Sequence, residues 1–256
     1  MSMPDPQFDL RFAEGPDDLA DAQRLRYRVF IDELGGSGPD VDHVQERESD
    51  DFDRVCRHLI LRDMARPEAD RVIGVYRLLD EDGAAELGRF YSEGEYDLRP
   101  LYRSKRKLLE LGRSCLHRDY RGGPAMYHLW TGLAEHIDRV GVEVLFGVAS
   151  FHGTDVKALA APLSILHHRH LAPDNLRVTA KPPGAVRMDQ LAEDAYDRRE
   201  AMRAVPALIK AYLRLGGTVG AGAWIDTAFN TTDVCMVMDT RNLSARARAI
   251  YTRARG

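Results

Sequence analysis

The chain has 256 residues, 44% hydrophobic and 30% charged, with a formal net charge of −4. That apolar content is too high for disorder, and a chain this long buries roughly 70–75% of its unfolded surface without staples. The near-neutral charge argues against a dedicated nucleic-acid binder. Cys56, Cys115 and Cys235 stand far apart with no Cys-x-x-Cys, which suits neither a disulfide framework nor a zinc site and fits reducing cytosol. Met1 to Arg11 does not read as a signal segment, and the best apolar run, Val144 to Phe151, falls short of the ~18 residues of a membrane span.

Alternation over Phe8 to Phe12 predicts a strand, and Pro16-Asp17-Asp18 opens a helix with acids where the dipole favours them. Leu19, Ala22, Leu25, Val29 and Phe30 give that helix an apolar face up to Gly35-Gly36. An acidic loop without a core of its own is expected from Ser37 to Asp53. Arg57 to Met64 and Val72 to Leu79 read as an antiparallel hairpin turning at Pro67 to Asp70. Residues 82 to 107 are mixed and end in a basic run. Leu108 to Leu116 is a central strand, Arg118 to Pro124 a turn, and Ala125 to Val140 a helix. Val142 to Phe151 is apolar enough for a strand covered on both faces. A helix over Thr154 to His170 and a short strand at Leu176 to Ala180 follow. A helix over Arg199 to Leu215 is interrupted by Pro206. Beyond a Gly-rich turn at 216–222 come a strand over Val234 to Met238 and a basic helix from Ser244 to Arg255.

This order predicts an α/β fold, a mixed sheet with helices on both faces. One domain over 1–256 is expected, with a core over 7–151 and a second half, 152–256, carrying a C-terminal elaboration.

The chemistry concentrates where the central strand meets the next helix. Gly122 and Gly123 let backbone N–H groups approach an anion, and Pro124 suits a first helical turn. The helix start then faces a phosphate, with Arg118 and Arg121 as charge-assisted donors. A surface turn with incidental arginines would use the same residues.

Arg-x-x-Arg-Gly-Gly-x-Ala, Arg118 to Ala125, resembles the pyrophosphate loop of the GCN5-related N-acyltransferases. The resemblance implies that Arg118, Arg121, Gly122, Gly123 and Ala125 hold the phosphopantetheine of an acyl donor. It also implies that the strands at 108–116 and 142–151 splay around the thioester. Pro124 stands where the family has glycine, which removes one backbone donor and favours a carrier-protein arm with a single phosphate over coenzyme A. Leu25-Arg26-Tyr27-Arg28-Val29-Phe30, Arg77 and Glu110-Leu111-Gly112-Arg113 are similar to motifs of the acyl-homoserine-lactone synthases. With Glu-Leu-Gly-Arg-Ser-Cys, the Tyr-Arg-Gly-Gly turn and Phe229 to Val234 (Phe-Asn-Thr-Thr-Asp-Val), the chain resembles the ornithine-lipid synthases, from about residue 23 to 238. Those enzymes move a 3-hydroxyacyl chain from acyl carrier protein to the α-amine of ornithine, forming lyso-ornithine lipid. Glutamine as acceptor, or a lactone product, are the alternatives.

The reaction implied is aminolysis of a thioester, which needs a proton acceptor and oxyanion donors. Glu110 is the candidate base or amine-orienting carboxylate; the alternative is an ion pair on the sheet. On a regular strand Glu110 and Arg113 face opposite ways, so Arg113 becomes the second catalytic candidate only through a bulge, which the family often has. Asp51 and Asp53 of the acidic loop, with Asn230 and Asp233, are candidates for holding the amino acid; Arg26 and Arg77 could neutralise its carboxylate or be buried structural arginines. Arg103, Lys105, Arg106 and Lys107 form a basic run suited to docking an acidic carrier protein. No permanent cofactor, metal or nucleic acid is expected. The expected place is the cytosol, with peripheral contact on the inner membrane. His58 to Asp63 fits the His-x-x-x-x-Asp of glycerolipid acyltransferases, but an offset of five on a strand separates the two side chains.

Overall fold

In the computed structural model, which describes residues 5–38 and 41–242, Phe8–Phe12 forms β1 and Pro16–Arg26 forms α1, continuing as a wider turn over Tyr27–Glu33. A tight hairpin, β2 (Val41–Asp42) and β3 (Arg47–Glu48), and a single turn over Asp51–Arg54 occupy the acidic loop. Phe52, Glu48 and Asp53 are buried there, so the loop has a core of its own, unlike the sequence expectation. β4 (Arg57–Asp63) and β5 (Val72–Asp80) form the expected antiparallel hairpin. The mixed stretch resolves into α2 (Glu81–Leu87), β6 (Tyr96–Asp97) and α3 (Arg99–Arg103). β7 (Leu108–Leu116) and α4 (Ala125–Val140) match expectation, as does β8, at Val144–His152.

Further on, α5 (Ala160–His170) starts later than expected and β9 keeps only Thr179–Ala180. β10 (Ala185–Val186) follows, and Pro206 divides α6 (Arg198–Ala204) from α7 (Ala207–Arg214). β11 (Thr218–Val219) and β12 (Ala223–Asp226) precede a nine-residue β13 (Thr231–Asp239). The basic helix expected at 244–255 lies outside the described residues. No described helix is long and apolar enough to cross a membrane.

The elements group into two units that interleave along the chain. Among the described residues, the first takes those up to Leu87 together with Leu111–Gly141; the second takes Gly88–Glu110 and the residues from Val142 to Asn242. β7 therefore contributes its first three residues to the second unit and the rest to the first.

In the first unit the strand order is β1-β4-β5-β7, with β1–β4 and β4–β5 antiparallel. Ala22, Leu25 and Val29 pack on Ile60, Val75 and Cys115. The opposite face receives α4: Trp130 Nε1 donates to Tyr76 Oη at 3.3 Å, and a Cβ on Gly74 would fall 2.7 Å from Leu116 Cδ2 and 2.9 Å from Leu129 Cδ1. Since Val75 alternates with Gly74 and Tyr76, α1 and α4 cover opposite faces of the sheet. Gly74→Ala overfills the α4 side and is expected to cost about 1–3 kcal/mol, read as a shift in the denaturation midpoint.

In the second unit the order runs β7-β8-β13-β12-β10. β7 and β8 are parallel and pair only from Leu108↔Val144 to Glu110↔Phe146. β8 pairs with β13 along its whole length, antiparallel, from Val144↔Asp239 to His152↔Thr231.

Candidate active site

Glu110 is the last β7 residue to pair with β8, and it is 3% exposed. Phe90 leads into a turn over Tyr91–Gly94, whose first two amides point at its carboxylate. Tyr91 N donates to Oε2 and Ser92 N to Oε1, each at 2.7 Å, and Ser92 Oγ also donates to Oε1. A buried carboxylate survives when donors replace its water, and three donors also fix its direction. Nothing in the spacing of Phe90-Tyr91-Ser92 marks these residues as partners of a residue 18 or 19 positions on.

In the first unit six charges close into a ring. Arg26, 0% exposed, donates to Glu48 Oε2 at 2.5 Å and to Asp53 Oδ1 at 2.6 Å. Arg77 Nη1 reaches Asp53 Oδ1 at 2.9 Å and Asp50 Oδ1 at 2.5 Å. Arg113 completes the circuit, with Nη2 donating to Asp50 Oδ2 and Nε to Glu48 Oε1, both at 3.1 Å. Three arginines thus alternate with three carboxylates, and their formal charges cancel.

Arg113 joins the ring because the backbone there is left-handed, with φ of +48°. A Cβ on Gly112 would lie 3.8 Å from Arg77 Nε, so Gly112 and Arg113 face the same ring although they are consecutive. A regular strand would separate them; the break in alternation is what the bulge expectation required.

The ring corrects the substrate-side expectations. Asp51 is exposed and outside it, and Asp50, which also caps the turn through Phe52 N at 3.0 Å, takes the inward place. Asp53 is occupied by Arg26, Arg77 and Gln23 Nε2, the last at 2.9 Å. Arg26 and Arg77 thus serve protein carboxylates, which fits the buried structural alternative. Burial opposes ionisation of Asp53, Glu48 and Asp50, but the arginine charges outweigh it and hold all three pKa values below the ordinary range.

A pH dependence follows. Folded values depressed below the ordinary 3.8 (Asp) and 4.5 (Glu) give stability that is fully present above those values and lost as pH falls through the folded ones. Urea midpoints are expected to hold from pH 7 to about 5 and to drop steeply below about 4, with a smaller drop in Asp53→Asn. Equal drops in both proteins would remove the ring as the cause.

The turn after β7 is pinned from beneath. Tyr120 Oη donates to the buried Asp63 Oδ2 at 2.6 Å. Arg121 is exposed, with Nε donating to the Leu116 carbonyl at 3.0 Å and Nη2 lying 2.8 Å from Glu33 Oε2. Gly122 has φ of +77°, and Arg118, Gly122, Gly123 and Pro124 are exposed. α4 has no side-chain cap, so its first-turn amides, starting at Ala125, remain for an anion. His58 and Asp63 are separated as anticipated: His58 Nε2 lies 3.1 Å from the Asp53 carbonyl, while Asp63 holds Tyr120.

In the basic run Arg106 is buried, donating to Asp239 at 2.5 and 2.8 Å and to the Glu143 carbonyl at 2.7 Å. It is a structural tie, not a docking residue. Arg103, Lys105 and Lys107 remain exposed. In the late motif Asn230 occupies a left-handed turn position with φ of +52° and is exposed, whereas Asp233 is buried on β13.

Residues 25–131 match the acetyltransferase (GNAT) domain family. Over 248 residues the chain is 55% identical to an L-ornithine N(alpha)-acyltransferase of Rhodobacter capsulatus, covering 96% of this chain and 95% of that protein. It is 39% identical to an L-ornithine N(alpha)-acyltransferase of Brucella abortus over 247 residues, 95% of this chain and 88% of that one. Among solved structures, FeeM, an N-acyl amino acid synthase from uncultured soil microbes, gives a TM-score of 0.53 at 11% identity over 98% of both chains. BjaI, a CoA-dependent acyl-homoserine lactone synthase with MTA, gives 0.50 at 14% identity over 92% of this chain and 81% of that one. The structural likenesses bear on the fold alone. The sequence similarity reaches further: this chain belongs to the L-ornithine N(alpha)-acyltransferase family and is an acyltransferase of the GNAT fold.

Proposed function

We propose that this protein transfers a 3-hydroxyacyl chain from acyl carrier protein to the α-amino group of L-ornithine, giving lyso-ornithine lipid. The observation that carries the acceptor is the 55% identity, nearly end to end, to a protein named as an L-ornithine N(alpha)-acyltransferase. The chemistry fits the residues. Glu110, clamped by Tyr91 and Ser92, orients the acceptor amine and takes up its proton. The amine attacks the thioester carbon, a C–N bond forms, and the C–S bond breaks as the tetrahedral oxyanion collapses. The leaving thiolate takes up one of the two protons the nitrogen loses, and the other goes to water. Arg113 is a positioning residue, fixing the strand that carries Glu110.

A carrier arm as donor is supported by the turn itself. Pro124 supplies no N–H, and Arg121 is engaged by Glu33, leaving Arg118 and the α4 amides. That set suits one phosphate better than the three of coenzyme A. Exposed Arg103, Lys105 and Lys107 supply positive charge for an acidic carrier.

The test is incubation with 3-hydroxyacyl carrier protein and single amino acids, reading free thiol and product mass. Amide formed only with glutamine, or a lactone from S-adenosylmethionine, overturns the reading. Arg118→Ala is expected to raise the donor KM about 3- to 30-fold with little change in the ornithine KM, the loss of one charge-assisted bond to phosphate. Reversing Arg103 and Lys105 to glutamate is expected to weaken carrier affinity more at 20 mM than at 300 mM salt; equal affinity moves the docking surface elsewhere.

A further inference from the structure

The amides that hold Glu110 belong to a turn, so their aim depends on what holds the turn, and its ties all lie in the second unit. Glu93 closes the turn on itself: its Oε2 accepts from Phe90 N at 2.8 Å, the side-chain half of a capping box. The same oxygen accepts from Tyr102 Oη, also at 2.8 Å, and Tyr102 stands on α3, outside the turn. The Glu93 carbonyl accepts from Lys181 Nζ, and Lys181 N donates to the Glu95 carbonyl at 2.7 Å. One residue thus ties the turn to itself, to α3 and to the segment that follows β9. Sequence reasoning gave Glu93, Tyr102 and Lys181 no part in the chemistry.

Packing alone does not set the direction of the amides. Phe90 is 1% exposed, and its ring meets Phe146 edge-on at 5.1 Å; Phe146 is the β8 partner of Glu110. Apolar contact fixes where the turn lies but is non-directional, whereas an N–H must point at its acceptor to bond well. Tyr91 and Ser92 are the two residues enclosed between Phe90 and Glu93. The bond from Phe90 N to Glu93 therefore closes around the two peptide groups that aim at Glu110.

We propose that Glu93 is a positioning residue for acyl transfer: with Tyr102 and Lys181 it sets the direction in which the Tyr91 and Ser92 amides hold the Glu110 carboxylate. This rests on Glu110 being the group that orients the acceptor amine and takes up its proton. Glu93 acts through the turn and needs no contact with either substrate, so its loss falls on the chemical step. A reacting group displaced by about an ångström loses rate steeply while substrate binding persists.

The experiment measures thiol release from 3-hydroxyacyl carrier protein with ornithine, in single and double variants of the full-length protein. Glu93→Ala is expected to lower kcat about tenfold, with both KM values within threefold of wild type. Glu93→Gln is expected to recover most of that loss, because Phe90 N and Tyr102 Oη use a single oxygen and the amide keeps one. Tyr102→Phe and Lys181→Met, each losing one tie, are expected to cost about fivefold. Added to Glu110→Gln, Glu93→Ala is expected to cost less than twofold, since a residue that acts through Glu110 then has nothing to aim. An unchanged kcat in Glu93→Ala, an equal loss in both backgrounds, or a loss confined to KM overturns the proposal. Melting curves check folding. Where Glu93→Ala folds poorly, Tyr102→Phe takes its place in the same comparison, because Tyr102 is 44% exposed and its hydroxyl leaves no buried gap. If Glu110→Gln itself keeps the wild-type rate, the proposed function loses its base, and hydrogen exchange judges the turn. Tyr91 and Ser92 amides that exchange about tenfold faster in Glu93→Ala than in wild type or Glu93→Gln uphold its grip on Glu110; equal exchange overturns it.

Discussion

Replacing Glu110 by glutamine is expected to lower kcat by about 10²- to 10⁴-fold, the range of a lost proton acceptor, with the carrier-protein KM changed less than threefold. Two effects act together. The amide cannot take a proton from the attacking nitrogen. Its NH2 must also face the Tyr91 or Ser92 amide, donor against donor, so the side chain loses its direction. Ser92→Ala separates the two: it removes one donor and leaves the carboxylate, so a loss of tenfold or less is expected. Rates are read as thiol release, with circular dichroism confirming folding. A Glu110→Gln enzyme within threefold of wild type would exclude Glu110 from the chemistry.

The second large effect is on stability. Arg26→Met leaves Glu48 and Asp53 buried beside a hole in the ring, and the expected cost is about 3–5 kcal/mol, measured by urea unfolding. The loss comes from the stranded acids more than from the missing attraction. Arg26→Met combined with Glu48→Gln and Asp53→Asn is therefore expected to recover part of the stability. A triple variant no more stable than the single one would show that each ring member is needed for packing rather than for charge balance. Activity should fall in Arg26→Met as well, because Arg113 loses the Glu48 geometry that anchors the end of β7.

Much of the scaffold was legible because its signals are local. The alternation of β1, the apolar run of β8 and the amphipathic helix after Pro124 each depend on residues within one element. The bulge in β7 was foreseen as a condition for Arg113 to leave its regular face, and the left-handed Arg113 meets it. What escaped was decided by distant partners. Asp50 and Asp51 are indistinguishable in composition, and only the turn that Asp50 caps sends one inward and leaves the other in water. Arg106 looks like any member of a basic run until Asp239, 133 residues away, folds beside it. The short pairings of β6 with β9 and β10 with β12 exist through cross-chain hydrogen bonds, which two residues cannot announce.

The closed ring of Arg26, Glu48, Asp50, Asp53, Arg77 and Arg113 also bears on how fast the protein unfolds. Its bonds span 22 to 65 residues of sequence, so the ring cannot close until α1, the β2–β3 hairpin, β5 and β7 have all come together. Interactions assembled that late are weakly formed at the folding barrier and fully formed after it. Ring substitutions should accordingly leave the refolding rate almost untouched and accelerate unfolding by nearly the whole of their stability cost. The ring then works as a latch on the folded chain: it lengthens the time the enzyme stays folded without shortening the time it takes to fold.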